Sequence, residues 1–122
     1  MNKDRSVYAR HVYDCICRIK DYVRDGKEEF FHDTKTQDAV IRNLEVIGQA
    51  VKDIGIEDLI VAHPEVPWMQ VAGARNILAH HYLGVDIALI WNIVEKHLPQ
   101  LESKIIEIAK NQGIDLGAIK SN

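Results

Sequence analysis

Five polar side chains of different chemistry stand close together in the segment ARNILAHHYLG, residues 74–84. Arg75 carries a planar fork of donors that matches phosphate oxygens and keeps its charge, whereas His80 can take or give a proton near neutral pH. Such groups suffice for metal-free cleavage of RNA: a ribose 2′-OH is helped to attack phosphorus, the leaving oxygen is protonated, and arginine stabilises the developing charge. Tyr82 can contact phosphate or stack on a base, and Asn76 can orient His80.

A helix over this segment separates the two histidines, because each residue turns the chain by about 100°. His81 falls on the apolar side and is interpreted as an interior histidine. The other four polar residues fall on the opposite side, where the small residues Ala72 and Gly73 also lie, so we expect an open surface there. Arg75 and His80 are about 140° apart around the helix. They would therefore contact a ligand that lies between them, or they would combine with the same two residues of a second chain. Surface residues that complement a helix dipole remain the alternative.

The composition bounds the class of protein. A chain of 122 residues with 47% hydrophobic and 27% charged residues is typical of one globular domain. The N-terminal residues include no apolar segment that resembles a secretory signal, and no apolar run is long enough to span a membrane, so we expect a cytoplasmic protein. The net charge of −3 argues against a general nucleic-acid coat protein, although a local basic site remains possible.

Cysteine and histidine spacings give no sign of a metal site or cofactor. Cys15 and Cys17 would point about 200° apart on a helix, so we interpret them as two reduced thiols. The histidines outside residues 74–84 are scattered and form no H-x-x-x-H pair. The sequence therefore predicts no metal and no cofactor.

Apolar residues at helical spacing predict four main helices. The first covers about residues 4–24 and ends at Gly26, and the stretch KEEFFHD is predicted as a connector. The second starts at Thr34, with Gln37 in a capping box, and ends at Gly55. A short helical fragment follows, and Pro67 suits the first position of the third helix, which would end at Gly84.

The fourth helix is predicted to begin with Asp86 as its cap and to kink at Pro99. The whole is predicted as an all-α antiparallel bundle of four main helices plus a short helical fragment, which forms a dimer. Residues 1–122 would make a single domain, with its core at about residues 4–110 and a flexible tail at residues 112–122.

The segment RNILAHHY resembles the R-x-x-x-x-H-x-Y motif of the HepT-like toxins of the HEPN superfamily. The blocks TQDAVIRNLEVIGQAVK, HPEVPWMQVAGARNILAHHYLGVD and IALIWNIVEKHLPQL resemble the corresponding parts of that family, as does the opening DRSVYARHVYDCICRIKDYV. The resemblance covers about residues 4–110, and no position of the motif is broken.

This resemblance implies a dimeric, metal-independent endoribonuclease that acts as the toxin of a type VII-like toxin–antitoxin pair. Its partner would be an MNT-type nucleotidyltransferase antitoxin, which transfers AMP from ATP to the motif tyrosine. Carried over by position, Arg75 and His80 would be catalytic, Asn76 and Tyr82 would support them, and Tyr82 would be the modified hydroxyl. His81 fills the variable position and takes no role.

Two further interpretations stay open. Arg42, on the second helix, could be an additional RNA phosphate contact, or it could belong to a solvated face with local ion pairs. The whole chain could also be a non-catalytic helical module that binds nucleotide or a partner through the same cleft. Such a module would need no proton-transfer group at position 80.

Overall fold

The computed structural model describes residues 3–79 and 86–116, and it describes side chains for residues 6–73 and 86–116. Every regular element in these ranges is helical, which confirms the predicted all-α class. In chain order they are α1 (Lys3–Tyr22), α2 (Lys27–His32), α3 (Thr34–Ile54), α4 (Ile56–Ala62), α5 (Trp68–Ala79), α6 (Ile87–Asn92), a π-helical turn (Ile93–His97) and α7 (Leu98–Asn111).

Helix α3 is the centre of the bundle. It packs along both α1 and α5, and α7 packs against α1. Its apolar stripe includes Val40, Ile47 and Val51, all almost fully buried, as the spacing predicted. Within the described ranges, no helix is long and apolar enough to pass through a membrane.

Helix α1 follows its predicted pattern closely. Val12, Ile16 and Ile19 are completely buried, and they recur at the three- and four-residue spacing of one helix face. The chain leaves the helix through Gly26, whose φ of 95° lies in the left-handed region that favours glycine. The predicted stop at this glycine is confirmed.

The stretch predicted as a connector, KEEFFHD, is instead helix α2. Phe30 is 1% exposed, and its ring packs edge-on against Phe31 and lies 5.3 Å from the ring of Trp91. This aromatic contact with α6 gives six residues enough buried surface to hold a helical turn and a half, which local propensity alone would not stabilise.

The start of α3 is capped differently from the prediction. The Asp33 carboxylate, not Thr34, accepts hydrogen bonds from the backbone N–H of Lys35 and Thr36 at 3.1 and 3.3 Å and from the Thr36 hydroxyl at 2.8 Å. Gln37 donates to the Phe30 carbonyl instead of closing a capping box. A carboxylate suits this position because it also faces the positive end of the helix dipole. The hydrogen bond from the Thr36 hydroxyl lowers the pKa of Asp33 below its ordinary value.

A hydrogen bond and an ion pair hold the connector before α5 in place. The Trp68 indole, 1% exposed, donates a hydrogen bond to the His63 carbonyl, and Glu65 pairs with Lys104 on α7. The Pro67 carbonyl accepts the first helical hydrogen bonds, from Gln70 and Val71. Pro67 therefore stands at the N-cap, one residue before its predicted place inside the helix.

A single irregular turn joins α6 to α7. Asp86 caps α6 through the backbone N–H of Leu89, as predicted. Pro99 has no N–H to donate to the carbonyl four residues earlier, and the chain forms a π-helical turn just before it, with the Leu98 N–H bonded to the Ile93 carbonyl. The predicted disturbance at Pro99 is thus a widened turn.

The first part of the predicted tail lies on the core. After α7 the Ile114 N–H bonds the Ala109 carbonyl at 2.8 Å, and Ile114 and Leu116 are half-buried against the apolar core. These apolar side chains bring residues 112–116 back to the bundle.

Candidate functional site

The predicted catalytic set is only partly within the described residues. The backbone of Arg75 and Asn76 belongs to α5, but their side chains lie outside the description. His80, His81 and Tyr82 lie outside the described residues altogether. The joint geometry of Arg75, His80 and Tyr82 therefore stays a prediction from the sequence.

The first two turns of α5 correct one expectation about its faces. Ala72, predicted on the open side, is 5% exposed and belongs to the core together with Trp68, four residues earlier. A small side chain there lets α5 approach its neighbours closely. The sequence analysis had interpreted the same small size as room for a ligand.

Gly73 agrees better with an open side. It is half-buried, and a Cβ placed on it would meet no atom within 4 Å. The space beside α5 therefore opens on the side of Gly73. The sequence pattern alone did not distinguish this glycine from its neighbour Ala72.

Arg42 lies in a groove of about 420 Å³ between α1 and α3. The guanidinium is on an exposed residue and makes no ion pair with any described residue. Polar and aromatic residues dominate the lining, which comprises Tyr8 and His11 of α1 and Arg42, Glu45, Val46, Gln49, Ala50 and Asp53 of α3. The local ion pairs that were the alternative for Arg42 are not seen among the described residues, and its contact with RNA remains a prediction.

This groove was not predicted from the sequence, although the spacing of its polar residues is visible there. Arg42, Glu45, Gln49 and Asp53 recur at spacings of three and four, which places them on one face of a helix. The same spacing on α1 relates Tyr8 to His11. What the pattern could not show is that the two faces adjoin, because that depends on how α1 packs on α3.

The two helices run in opposite directions along the groove. Ala9 and Ile54 line one small cavity, so the start of α1 lies beside the end of α3. Arg42 precedes Asp53 by eleven residues on α3, so the two positions lie about 16 Å apart along the helix axis. Burial raises the pKa of the Cys15 thiol, against the opposing effects of Arg18 and Arg42. Tyr8 and Asp53 therefore lie towards one end of the groove and Arg42 towards the other.

The cysteines behave as separate thiols. Cys15 is buried, Cys17 is half-buried, and neither forms a disulfide. Across the described ranges, no three histidine, cysteine, aspartate or glutamate residues come together as a possible metal site.

Comparison with known proteins gives one consistent family. A family model described as ribonuclease HepT-like matches residues 12–108. A Methanocaldococcus jannaschii protein named as a candidate RNase is 42% identical over 119 residues, covering 96% of this chain and 98% of its own. A Thermococcus cleftensis protein named as a candidate ribonuclease HepT is 38% identical, covering 90% of this chain and all of its own.

A second Methanocaldococcus jannaschii relative is longer. It is named as a gamma-glutamylcyclotransferase and candidate RNase, and it is 38% identical over 88% of this chain. The chain spans about half of that relative, 49% of its length. No solved structure matches the chain.

Proposed function

The chain belongs to the HepT-like family of the HEPN superfamily, and from that premise we propose that it is a metal-independent endoribonuclease that acts as a toxin. The observation that carries the proposal is the family match over residues 12–108, which contains the whole set Arg75, Asn76, His80 and Tyr82. The placing of Arg75 on α5, a helix packed along α3, supports it.

In the proposed reaction the ribose 2′-oxygen attacks the adjacent phosphorus and the bond from phosphorus to the 5′-oxygen breaks. One proton leaves the 2′-OH and another is delivered to the departing 5′-oxygen, so the products are a 2′,3′-cyclic phosphate and a 5′-OH. His80 delivers the proton to the 5′-oxygen, and solvent water takes the proton of the 2′-OH. Arg75 stabilises the charge on the non-bridging oxygens, and Asn76 orients His80. No metal ion is required for this sequence of steps.

The test is cleavage of a labelled single-stranded RNA in the presence of EDTA. We expect wild-type protein to cut it, and Arg75→Ala and His80→Ala to cut at least about 100-fold more slowly. His81→Ala is the matched control, because it removes the neighbouring imidazole and should retain activity. Equal rates for the His80 and His81 variants would refute the assignment. RNA binding without cleavage by wild type would favour the non-catalytic module instead.

We further propose that two copies of the chain form one shared cleft and that each copy contributes its Arg75 and His80 to it. Mixing the inactive Arg75→Ala and His80→Ala variants tests this arrangement. If the cleft is shared between subunits, a mixed dimer can hold one intact combination and regain part of the wild-type activity. Failure of every mixture, with light scattering showing a monomer, would contradict it.

The proposed control is modification by an MNT-type nucleotidyltransferase. The Tyr82 oxygen would attack the α-phosphorus of ATP, a new oxygen–phosphorus bond would form, pyrophosphate would leave, and the phenolic proton would pass to solvent. The added phosphate brings negative charge beside Arg75, where an RNA phosphate must bind. Mass spectrometry after incubation with antitoxin and ATP should show one added AMP in wild type and none in Tyr82→Phe. An unchanged wild-type mass would refute this part.

A further inference from the structure

The groove between α1 and α3 combines the three kinds of group that a nucleotide needs. Arg42 offers a guanidinium that no described residue pairs with, Tyr8 offers a half-buried aromatic ring, and Gln49 and Asp53 offer hydrogen-bond acceptors. Val46 and Ala50 supply an apolar part of the lining. Its volume of about 420 Å³ lies within the range of ligand pockets.

We propose that this groove is a subsite for one nucleotide of the RNA strand, separate from the position of the cut. The inference rests on the proposed ribonuclease function and adds a contact that sets which RNA is bound. Arg42 binds the phosphate through its planar donors, and the base stacks on Tyr8. α3 carries the groove and also packs along α5, so one helix supports both the groove and the helix that holds Arg75.

The acceptor groups set a preference among bases. Gln49 donates through Nε2 to one carboxylate oxygen of Asp53 at 3.1 Å, which leaves the Gln49 carbonyl oxygen and the second Asp53 oxygen as acceptors. Both residues lie towards the end of the groove that Tyr8 lines. A base with an exocyclic amino group can donate to these oxygens, so cytosine should bind better than uracil, which has none.

A second groove, between α1 and the α6–α7 helix, does not fit a nucleotide. Its volume is about 350 Å³, but most of its lining is apolar, with Val23, Trp91, Val94, Leu98 and Pro99. Its lysine, Lys20, is already bound to Glu102 at 3.0 Å. The first groove is therefore the better match to a nucleotide, because its guanidinium has no ion-pair partner among the described residues, although the carboxylates of Glu45 and Asp53 also line it.

The experiment measures binding of 2′-O-methyl octanucleotides of cytidine and of uridine, which cannot be cut by 2′-oxygen attack. Fluorescence anisotropy at several salt concentrations gives the Kd and its salt dependence. Tyr8→Ala should weaken binding about fivefold or more, whereas Tyr22→Ala, on the exposed end of α1, should not. Arg42→Gln should lower the slope of log Kd against log salt by about 0.7, and Lys52→Gln, on another face of α3, should leave it unchanged.

The base preference has its own variant. Wild type should bind the cytidine oligonucleotide about fivefold or more tightly than the uridine one. Asp53→Asn keeps an acceptor for Gln49 but removes the charge and one oxygen, so it should bring the ratio close to one. Asp38→Asn is the control on the same helix and should keep the wild-type ratio.

The possible failures are distinguishable. Two results would refute the subsite and leave the ribonuclease proposal standing. In the first, wild type cuts RNA and the groove variants bind and cut as their controls do. In the second, wild type cuts RNA but does not bind the oligonucleotides. If wild type neither binds nor cuts, both proposals fail. If the Tyr8 and Arg42 changes alter the oligomeric state in light scattering and leave RNA binding intact, the groove is a protein interface and the inference is overturned.

Discussion

The Trp68 indole donates a hydrogen bond from Nε1 to the His63 backbone carbonyl at 2.9 Å, and the ring is 1% exposed. This bond ties the first residue of α5, the helix that carries Arg75, to the connector before it. We expect Trp68→Phe to destabilise the fold by about 1–3 kcal/mol, because the carbonyl loses its donor and the smaller ring leaves a cavity. Thermal unfolding measures the loss.

Trp91→Phe is the control for that change. The buried Trp91 Nε1 has no hydrogen-bond partner among the described residues, so its removal costs no bond and relieves an unsatisfied donor. The midpoint Tm should fall less for Trp91→Phe than for Trp68→Phe. A larger fall for Trp91→Phe would mean that ring packing outweighs the bond to His63.

Adjacent positions on α5 should respond in opposite ways. Ala72 is 5% exposed in the core, so Ala72→Leu should cost about 1–3 kcal/mol of stability by overpacking. Gly73→Ala should stabilise the helix by about 0.5–1 kcal/mol, because a Cβ there meets no atom within 4 Å. Urea unfolding of the two variants checks both signs. If Gly73→Ala also lowers RNA cleavage, the bare backbone at this position is needed by the substrate.

The Asp33 cap predicts a stability difference that depends on pH. Asp33→Ala removes the acceptor for two backbone N–H groups and the Thr36 hydroxyl, so we expect Tm to fall by about 2–6 °C at neutral pH. Because the folded pKa of Asp33 lies below its ordinary value of 3.8, the carboxylate contributes fully above that value. Its contribution is lost as the pH falls through the lower folded pKa.

The matched variant for the cap is Asp38→Ala. Asp38 is exposed one turn later on the same helix and makes no hydrogen bond with a described residue. The Tm difference between wild type and Asp33→Ala should be constant from pH 7 to about pH 5 and shrink below about pH 4. An equal, pH-independent effect of both alanine variants would contradict the capping role.

The two thiols should differ in reactivity. Cys15 is 1% exposed and burial raises its pKa above the ordinary value of 9.0, so little of it is the reactive thiolate at neutral pH. Cys17 is half-buried and should react first with iodoacetamide in the native protein. Peptide mass spectrometry should find alkylation at Cys17 before Cys15, and equal labelling of both in denaturant. Fast native labelling of Cys15 would mean that α1 opens readily.

Sequence patterns predicted the helices themselves better than they predicted which helices pack against each other. The buried stripe of Val12, Ile16 and Ile19 followed from spacing alone, because one helix face must be apolar wherever it packs. The cap at Asp33 was missed because Thr34 and Gln37 satisfy the same local rule, and only the fold shows which oxygen reaches the backbone.

The groove and Ala72 were missed for a different reason. A helical wheel fixes which residues share a face, but it does not say which neighbour that face meets. Small residues such as Ala72 serve close packing and open surfaces equally well. The aromatic and polar residues of the groove come from α1 and α3, which are far apart along the chain, so their meeting could not be predicted from either segment.

The π-helical turn at Ile93–His97 gives the long C-terminal helix one surplus residue. Because its hydrogen bond closes over five residues instead of four, everything after it lags by about one residue, or roughly 100° of rotation. That offset lets α6 meet Phe30 of α2 through Trp91 while α7 meets α1 through Lys20 and Glu102. Removing one residue at the exposed Lys96 would take out the surplus residue and keep later side chains near their present orientation, while Pro99 would still be unable to donate a helical hydrogen bond.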